Sequence, residues 1–187
     1  RYVHFGEGDY DETEEAIRTL LREKGDSELG GDASRVRGEE VNPAVRTPET
    51  YLGAARAEGW SNGRILPGEQ SYGDTPSDLV PNEFAYSGDW KITEAGASSR
   101  DDAAISADFG AEKVFLVLGS PGGPREVEVL LDGEPVPDRL AGEDVKGGVA
   151  TIGPQRLYRL VDLPKAGTHE LELRFEPGIY GYAFTFG

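Results

Sequence analysis

The chain has 187 residues, which is room for one domain of ordinary size and a smaller appendage. Its 19 basic and 35 acidic residues give a formal net charge of -16, which would repel phosphate backbones, so nucleic acid is not an expected partner. Cysteine is absent, which excludes a disulfide, a thiolate metal site and a thiol nucleophile within this sequence.

The first 25 residues predict a strand followed by a helix. Residues 2–5 are a β-prone run, and Asp11 and Glu14 stand at the spacing of a capping box. Glu14 and Arg18 are four residues apart and should pair, and Gly25 is a typical helix stop. The apolar side chains on one face of this helix are Ala16, Ile17, Leu20 and Leu21. A helix of this length needs a partner sheet, so we expect something to cover that face.

Residues 26–46 have the polar, glycine-rich composition of a linker, which separates residues 1–25 from a domain at residues 47–187. Thr47 and Pro48 suit the start of a short helix that extends to Ala57. Residues 59–82 are rich in Gly, Ser, Asn and Pro and predict long loops. The chain starts at Arg1 and contains no methionine, so we expect it to be a fragment.

From Phe84 onward the pattern predicts short strands separated by turns. The predicted strands are Phe84–Ser87, Trp90–Glu94, Ala103–Phe109, Lys113–Leu118, Glu126–Leu131, Val149–Ile152, Leu157–Leu163, Thr168–Phe175 and Ile179–Phe186. In the strand at 126–131, Val127 and Val129 alternate with Glu126 and Glu128, and the strand at 168–175 alternates in the same way, so both should be half-exposed. The last strand should place Tyr180, Tyr182, Phe184 and Phe186 on one face. Asp132-Gly133 is a strong hairpin turn. The fold class that follows is mainly β, an antiparallel two-sheet β-sandwich of jelly-roll type.

Two stretches resemble known families. Residues 1–8, with Tyr10 and the run Ile17 to Leu21, resemble the last strand and helix of redoxins, the peroxiredoxin- and TlpA-like thioredoxin family. The second resemblance is to the carbohydrate-binding-module-like C-terminal domain that DipZ-like proteins carry after their redoxin module. The residues that carry it are Thr47–Gly53, Phe84, Gly88, Trp90, Asp102–Ile105 and Tyr182–Gly187.

The resemblance implies a β-α remnant of a thioredoxin fold in front of the sandwich. It also implies a parent protein that exchanges thiols and disulfides through a Cys-x-x-Cys pair upstream of Arg1. This chain itself has no cysteine, so we expect it to be non-catalytic and to need no cofactor or metal. A DipZ-like parent would place it outside the cytoplasm, and a parent without a membrane part would be cytoplasmic.

Aromatic side chains are the best candidates for ligand binding. An exposed Trp or Tyr offers a flat apolar surface to a sugar ring. We expect Trp90, Phe184 and Phe186 to be buried. Trp60, Tyr72 and Tyr158 are then the candidates for exposure and for contact with a ligand.

Other polar groups favour structural roles. His4 and His169 lie far apart in the sequence and make no metal-binding pattern, so His169 should have a hydrogen-bond partner at a strand end. The run from Ser98 to Asp102 is too short for a calcium loop and is read as a turn.

Two functions remain open. The chain could be an accessory domain that recognises a glycan or a client protein, or a structural domain that packs on the parent redoxin module. Because the linker would allow residues 1–25 to exchange between copies, a swapped homodimer is a further possible partner arrangement.

Overall fold

The structure is a computed structural model, and it describes residues 10–25, 45–74 and 79–187. The strand predicted at residues 2–5, His4 and most of the predicted linker lie outside these residues. The chain divides into two compact units, Arg1–Val41 and Asn42–Gly187.

In the first unit, helix α1 spans Tyr10–Lys24. It begins one residue before the predicted cap and ends where predicted, at Gly25, which has a φ of 103° and donates its N–H to the Arg22 carbonyl at 3.0 Å. The expected pair forms, with Arg18 Nε 2.8 Å from Glu14 Oε1. On the apolar face, Ile17 and Leu20 are 52% and 46% exposed. Among the described residues, no helix is long and apolar enough to cross a membrane.

The second unit is built from antiparallel strands. They are β1 (Thr50–Tyr51), β2 (Gly68–Tyr72), β3 (Phe84–Ile92), β4 (Ala97–Ser99), β5 (Ala104–Gly119), β6 (Arg125–Leu131), β7 (Glu134–Pro135), β8 (Val145–Lys146), β9 (Val149–Ile152), β10 (Arg156–Phe175) and β11 (Tyr180–Phe186). The predicted fold class, a mainly β antiparallel sandwich, is confirmed.

Strands β5 and β10 form one long antiparallel pair at the centre of this unit, although β6 to β9 lie between them in the chain. Their register runs from Arg156 opposite Leu118 to Arg174 opposite Ala104, with shifts between Arg159 and Val161 and between Asp162 and Gly167. The first part of β5 also pairs with β3, and its last part pairs with β11. Hydrogen bonds join the described strands in the order β1-β11-β4-β3-β5-β10-β6-β9-β8, with β2 paired to β3 and β7 paired to β6 outside that path.

The helix predicted from Thr47 to Ala57 is wrong. Thr50 and Tyr51 instead pair with β11 opposite Phe184 and Ala183. The Thr47 hydroxyl does not cap a helix, because it donates to Asn82 Oδ1 at 2.6 Å and accepts from the Gly110 N–H at 2.7 Å. These long-range bonds fix the start of the domain against β5.

The alternation predicted for the half-exposed strands is confirmed. Val127 and Val129 are buried in β6 and Leu171 and Leu173 in β10, while Glu126 and Glu128 face solvent. Trp90 and Phe184 are buried as predicted, and Phe186 is half-buried. A register shift between Gly181 and Phe184 breaks the single aromatic face expected for β11 and leaves Tyr180 exposed.

Candidate functional site

An aromatic cluster forms where the loop before β2 meets β3. Trp60 and Tyr86 stack with their ring centres 4.0 Å apart, and Tyr72 stacks with Tyr86 at 5.2 Å. Tyr86 is fully buried, and its hydroxyl donates to the Leu52 carbonyl at 2.8 Å. Burial raises the pKa of Tyr86 well above the ordinary value, with a smaller contribution from Tyr72, so its hydroxyl stays protonated as a structural donor.

The exposure expected for Trp60 is wrong, because only 7% of its surface is accessible. The main chain of Trp60 forms an isolated parallel β-bridge with Phe84, which places this segment beside β3. The Trp60 Nε1–H donates to the Tyr51 carbonyl at 3.1 Å. The indole therefore holds β1 and β3 together.

The exposure expected for Tyr158 is also wrong, since it is 1% exposed. Its hydroxyl donates to the Pro154 carbonyl at 3.0 Å and accepts from the Gly153 N–H at 2.8 Å. The Arg156 guanidinium covers the ring at 3.8 Å from its centre. Tyr158 thus fixes the turn that precedes its own strand.

Tyr72 is the one residue of the predicted three that lies at an open surface. It is half-buried, and burial raises the pKa of its hydroxyl. Together with Ser71, Gly73 and Asp74 it forms one wall of a cleft of about 1180 Å³. Whether Trp60, Tyr72 or Tyr158 contacts a ligand stays a prediction.

Strand register builds the rest of this cleft. Ser87, Ala104, Arg174 and Glu128 are successive register partners on β3, β5, β10 and β6, so their side chains lie on one face of the sheet. The β4–β5 turn and the segment after β10 complete the lining. The cleft is therefore assembled from residues far apart in the sequence.

The lining is strongly acidic. Its carboxylates are Asp74, Asp89, Asp101, Asp102, Glu126, Glu128, Glu172 and Glu176. Within the described lining, Arg174 is the one basic residue. Its Nε is 2.7 Å from Glu172 Oε1 and its Nη1 is 3.9 Å from Glu128 Oε2, and the hydrogen bond to Glu172 raises the pKa of Arg174. Because Arg174 is paired with carboxylates, the remaining carboxylates give the cleft a negative electrostatic potential.

Sequence reasoning missed the cleft although it placed several of its side chains on an exposed face. Alternation in β6 and β10 identifies Glu126, Glu128 and Glu172 as outward. No local signal shows that Asp101 and Asp102, on a turn some seventy residues before Glu172, join them. That juxtaposition depends on the pairing of β5 with β10.

The remaining sequence candidates have structural roles. His169 Nδ1 lies 2.8 Å from Asp132 Oδ2, which confirms a hydrogen-bond partner. Asp132 and Gly133 have φ angles of 52° and 81°, as the predicted hairpin turn requires. The run from Ser98 to Asp102 contains the end of β4 and a turn, as expected. In the described parts of the chain, no group of three or more acidic or histidine side chains is arranged to hold a metal ion.

Comparison with known families identifies the second unit. Residues 47–187 match the family model described as thioredoxin-like C-terminal domain. The chain belongs to this family. Two relatives, both named Protein DipZ, from Mycobacterium bovis and Mycobacterium tuberculosis, are 30% identical over 189 residues. The sequence resemblance to the C-terminal region of DipZ-like proteins is confirmed. The alignment covers 100% of the chain and 25% of each relative, so the chain spans about a quarter of their length.

Solved structures with a similar arrangement include carbohydrate esterases. A family two carbohydrate esterase from Clostridium thermocellum is 18% identical with a TM-score of 0.44, covering 56% of this chain and 31% of that one. A family two carbohydrate esterase from Cellvibrio japonicus is 13% identical with a TM-score of 0.40, covering 74% and 33%. At these TM-scores the likeness supports no conclusion about a ligand.

Proposed function

We propose that the chain is a non-catalytic recognition domain of a DipZ-like redoxin, and that its acidic cleft binds a positively charged segment of a client protein. The observation that carries the proposal is the open concavity with eight carboxylates and one paired arginine among its described lining residues. Such a surface attracts cations and raises the rate at which a basic partner associates.

A basic polypeptide fits the cleft better than a glycan does. Two of the three aromatic candidates for a sugar platform, Trp60 and Tyr158, are buried, and one face of the Tyr72 ring is stacked on Tyr86. A neutral sugar would also gain nothing from the excess negative charge, whereas lysine and arginine side chains would.

The distribution of the carboxylates favours a ligand with several separated charges. The described carboxylates lie on β3, β6 and β10, on the β4–β5 turn and on the segments after β2 and after β10. None of the described acidic side chains form a cluster of three that is close enough for one metal ion. An extended peptide with spaced basic residues matches this distribution.

A second candidate function is structural, in which the domain packs on the parent thioredoxin module. One observation favours it. Leu157 is 44% exposed and lies opposite the half-buried Val117, and exposed Tyr180 lies opposite Gly119, on the same face of β5. An apolar face of this kind is common at contacts between domains.

In this proposal the redox chemistry belongs to the rest of the parent protein. The chain has no cysteine and so offers no thiolate for exchange. The recognition domain would hold a basic client near a thiol-disulfide module, outside the cytoplasm if the parent is anchored as a DipZ-like protein.

Titration of the full chain with a fluorescent lysine- and arginine-rich peptide tests the proposal. Binding should weaken as salt rises, since exposed charges are screened. The double variant Asp101→Asn/Glu128→Gln should bind about 2- to 30-fold more weakly, from about 0.2–1 kcal/mol for each of the two exposed charges. The matched control is Glu58→Gln/Glu143→Gln, which removes the same charge from exposed positions outside the cleft and should bind as the unaltered chain does.

The outcomes separate the candidate functions. Equal loss in both double variants would show general attraction to an acidic protein and would contradict a cleft site. Binding of neutral oligosaccharides that is lost in Tyr72→Ala, without peptide binding, would replace the client with a glycan. If neither ligand binds, the structural function is favoured.

A further inference from the structure

The loop that carries Trp60 contains an Asn-Gly sequence. Asn62-Gly63 is the one such pair in the chain, since Asn42 and Asn82 precede Pro43 and Glu83. An asparagine before glycine is chemically prone to deamidate, because the following residue has no side chain to hinder approach of its main-chain nitrogen.

The reaction is balanced with water as its co-reactant. The Gly63 nitrogen loses its proton to solvent and bonds to Asn62 Cγ, while the Cγ–Nδ2 bond breaks and ammonia leaves. Water then opens the five-membered imide at either carbonyl. The products are aspartate or an isoaspartate linkage, with no change of oxidation state.

In the folded chain both reacting groups are held in hydrogen bonds. Asn62 Oδ1 accepts from the Tyr86 N–H at 2.7 Å, and Asn62 Nδ2 donates to the Tyr86 carbonyl at 3.0 Å. The Gly63 N–H donates to the Trp60 carbonyl at 3.2 Å. The Asn62 side chain thus takes the place of a neighbouring strand for β3, and attack on Cγ requires these bonds to break.

We propose that Asn62 is a deamidation site that the fold keeps unreactive, and that its conversion to a carboxylate loosens the segment Gly59–Gly63 from β3. The carboxylate can still accept from the Tyr86 N–H, but it has no donor for the Tyr86 carbonyl. A second acceptor then faces that buried carbonyl, which destabilises the contact. Trp60, stacked 4.0 Å from Tyr86, lies on the segment that is loosened.

Peptide mass spectrometry of the full chain tests the protection. The chain is incubated in mildly alkaline buffer with and without urea, and the mass increase is followed on the peptides that contain Asn62 and Asn82. Deamidation at Asn62 should be slow in the native chain and several-fold faster in urea. Asn82, which precedes Glu83, should change little in either condition. Equal rates at Asn62 with and without urea would overturn the proposal.

The consequence is tested with Asn62→Asp. This variant should have a lower midpoint of urea unfolding and an altered tryptophan fluorescence, since Trp60 is one of two tryptophans. Gln155→Glu is the matched control, because it adds the same charge at an exposed position in the turn before β10, and it should leave both signals unchanged. An Asn62→Asp chain with the midpoint and fluorescence of the unaltered chain would refute the loosening. If that variant fails to fold, the importance of the Asn62 hydrogen bonds to β3 is supported, and the mass-spectrometry comparison with and without urea tests whether the fold protects Asn62.

Discussion

Replacement of Trp90 by alanine should strongly destabilise the sandwich. The indole is 1% exposed, and its ring centre lies 5.0 Å from that of Tyr86 and 5.2 Å from that of Phe175. Its Nε1–H donates at 2.8 Å to the carbonyl of Ser87, which lies three residues earlier on β3. Truncation removes the packing, both aromatic contacts and that donor together.

The magnitude follows from these contacts. Large-to-small replacement of a buried aromatic costs about 3–5 kcal/mol, and the loss of two ring pairs and of a buried donor places Trp90→Ala at the upper end of that range. Trp90→Phe is the matched control, because it keeps a ring in the same place and removes the N–H, so it should cost about 1–3 kcal/mol.

Urea unfolding of the two variants, followed by tyrosine and tryptophan fluorescence and by circular dichroism, measures both values. A loss under about 1 kcal/mol for Trp90→Ala would show that the site collapses freely and would refute the packing argument. Equal losses for the alanine and phenylalanine variants would assign the whole effect to the hydrogen bond.

Two further predictions concern side-chain hydrogen bonds made by residues at the start of β10. Hydrogen bonds from Arg156 hold the pKa of Asp144 below its usual 3.8, so this pair should stabilise the fold by about 1 kcal/mol above that pH and lose the contribution as pH falls through the lowered pKa. The variant Asp144→Asn should therefore be less stable than the unaltered chain at neutral pH and equally stable in acid. The control Glu143→Gln removes a more exposed ion pair and should change the stability little at any pH. Tyr158→Phe should cost about 1–3 kcal/mol by thermal unfolding, because it leaves the Gly153 N–H and the Pro154 carbonyl without the hydroxyl, and an unchanged melting temperature would contradict a structural role.

Local patterns in the sequence predicted the elements that depend on near neighbours. Alternation placed Val127 and Val129 inside and Glu128 outside, and Asp132-Gly133 formed the expected turn. Gly25 ended the helix as predicted. In each case the decisive interaction joins residues within a few positions of each other.

Sequence analysis divided two long strands at a residue that usually ends a strand, because interactions with residues distant in the sequence allow each strand to continue. Gly110 looks like the end of a strand, yet β5 continues through it because Thr47 accepts its N–H and the Arg46 side chain packs beside it. Pro164 looks like a break in β10, and the structure absorbs it as a register shift between Asp162 and Gly167 without ending the strand. Neither compensation can be seen in a short sequence window.

The candidate site shows the same dependence on distant residues. Trp60 lies in a segment rich in Gly, Ser, Asn and Pro, yet it stacks on Tyr86 and donates to the Tyr51 carbonyl. Tyr158 lies in a predicted strand, and it is buried with the Arg156 guanidinium over its ring. The acidic cleft depends on the pairing of β5 with β10, where the register partners Ala104 and Arg174 are seventy residues apart in the sequence. Tyr72 lies where these two features meet, since it stacks on the buried aromatic cluster and lines the cleft. Any ligand that contacts its ring is therefore coupled to the core through Tyr86, so a Tyr72 variant should be judged by its stability as well as by its binding.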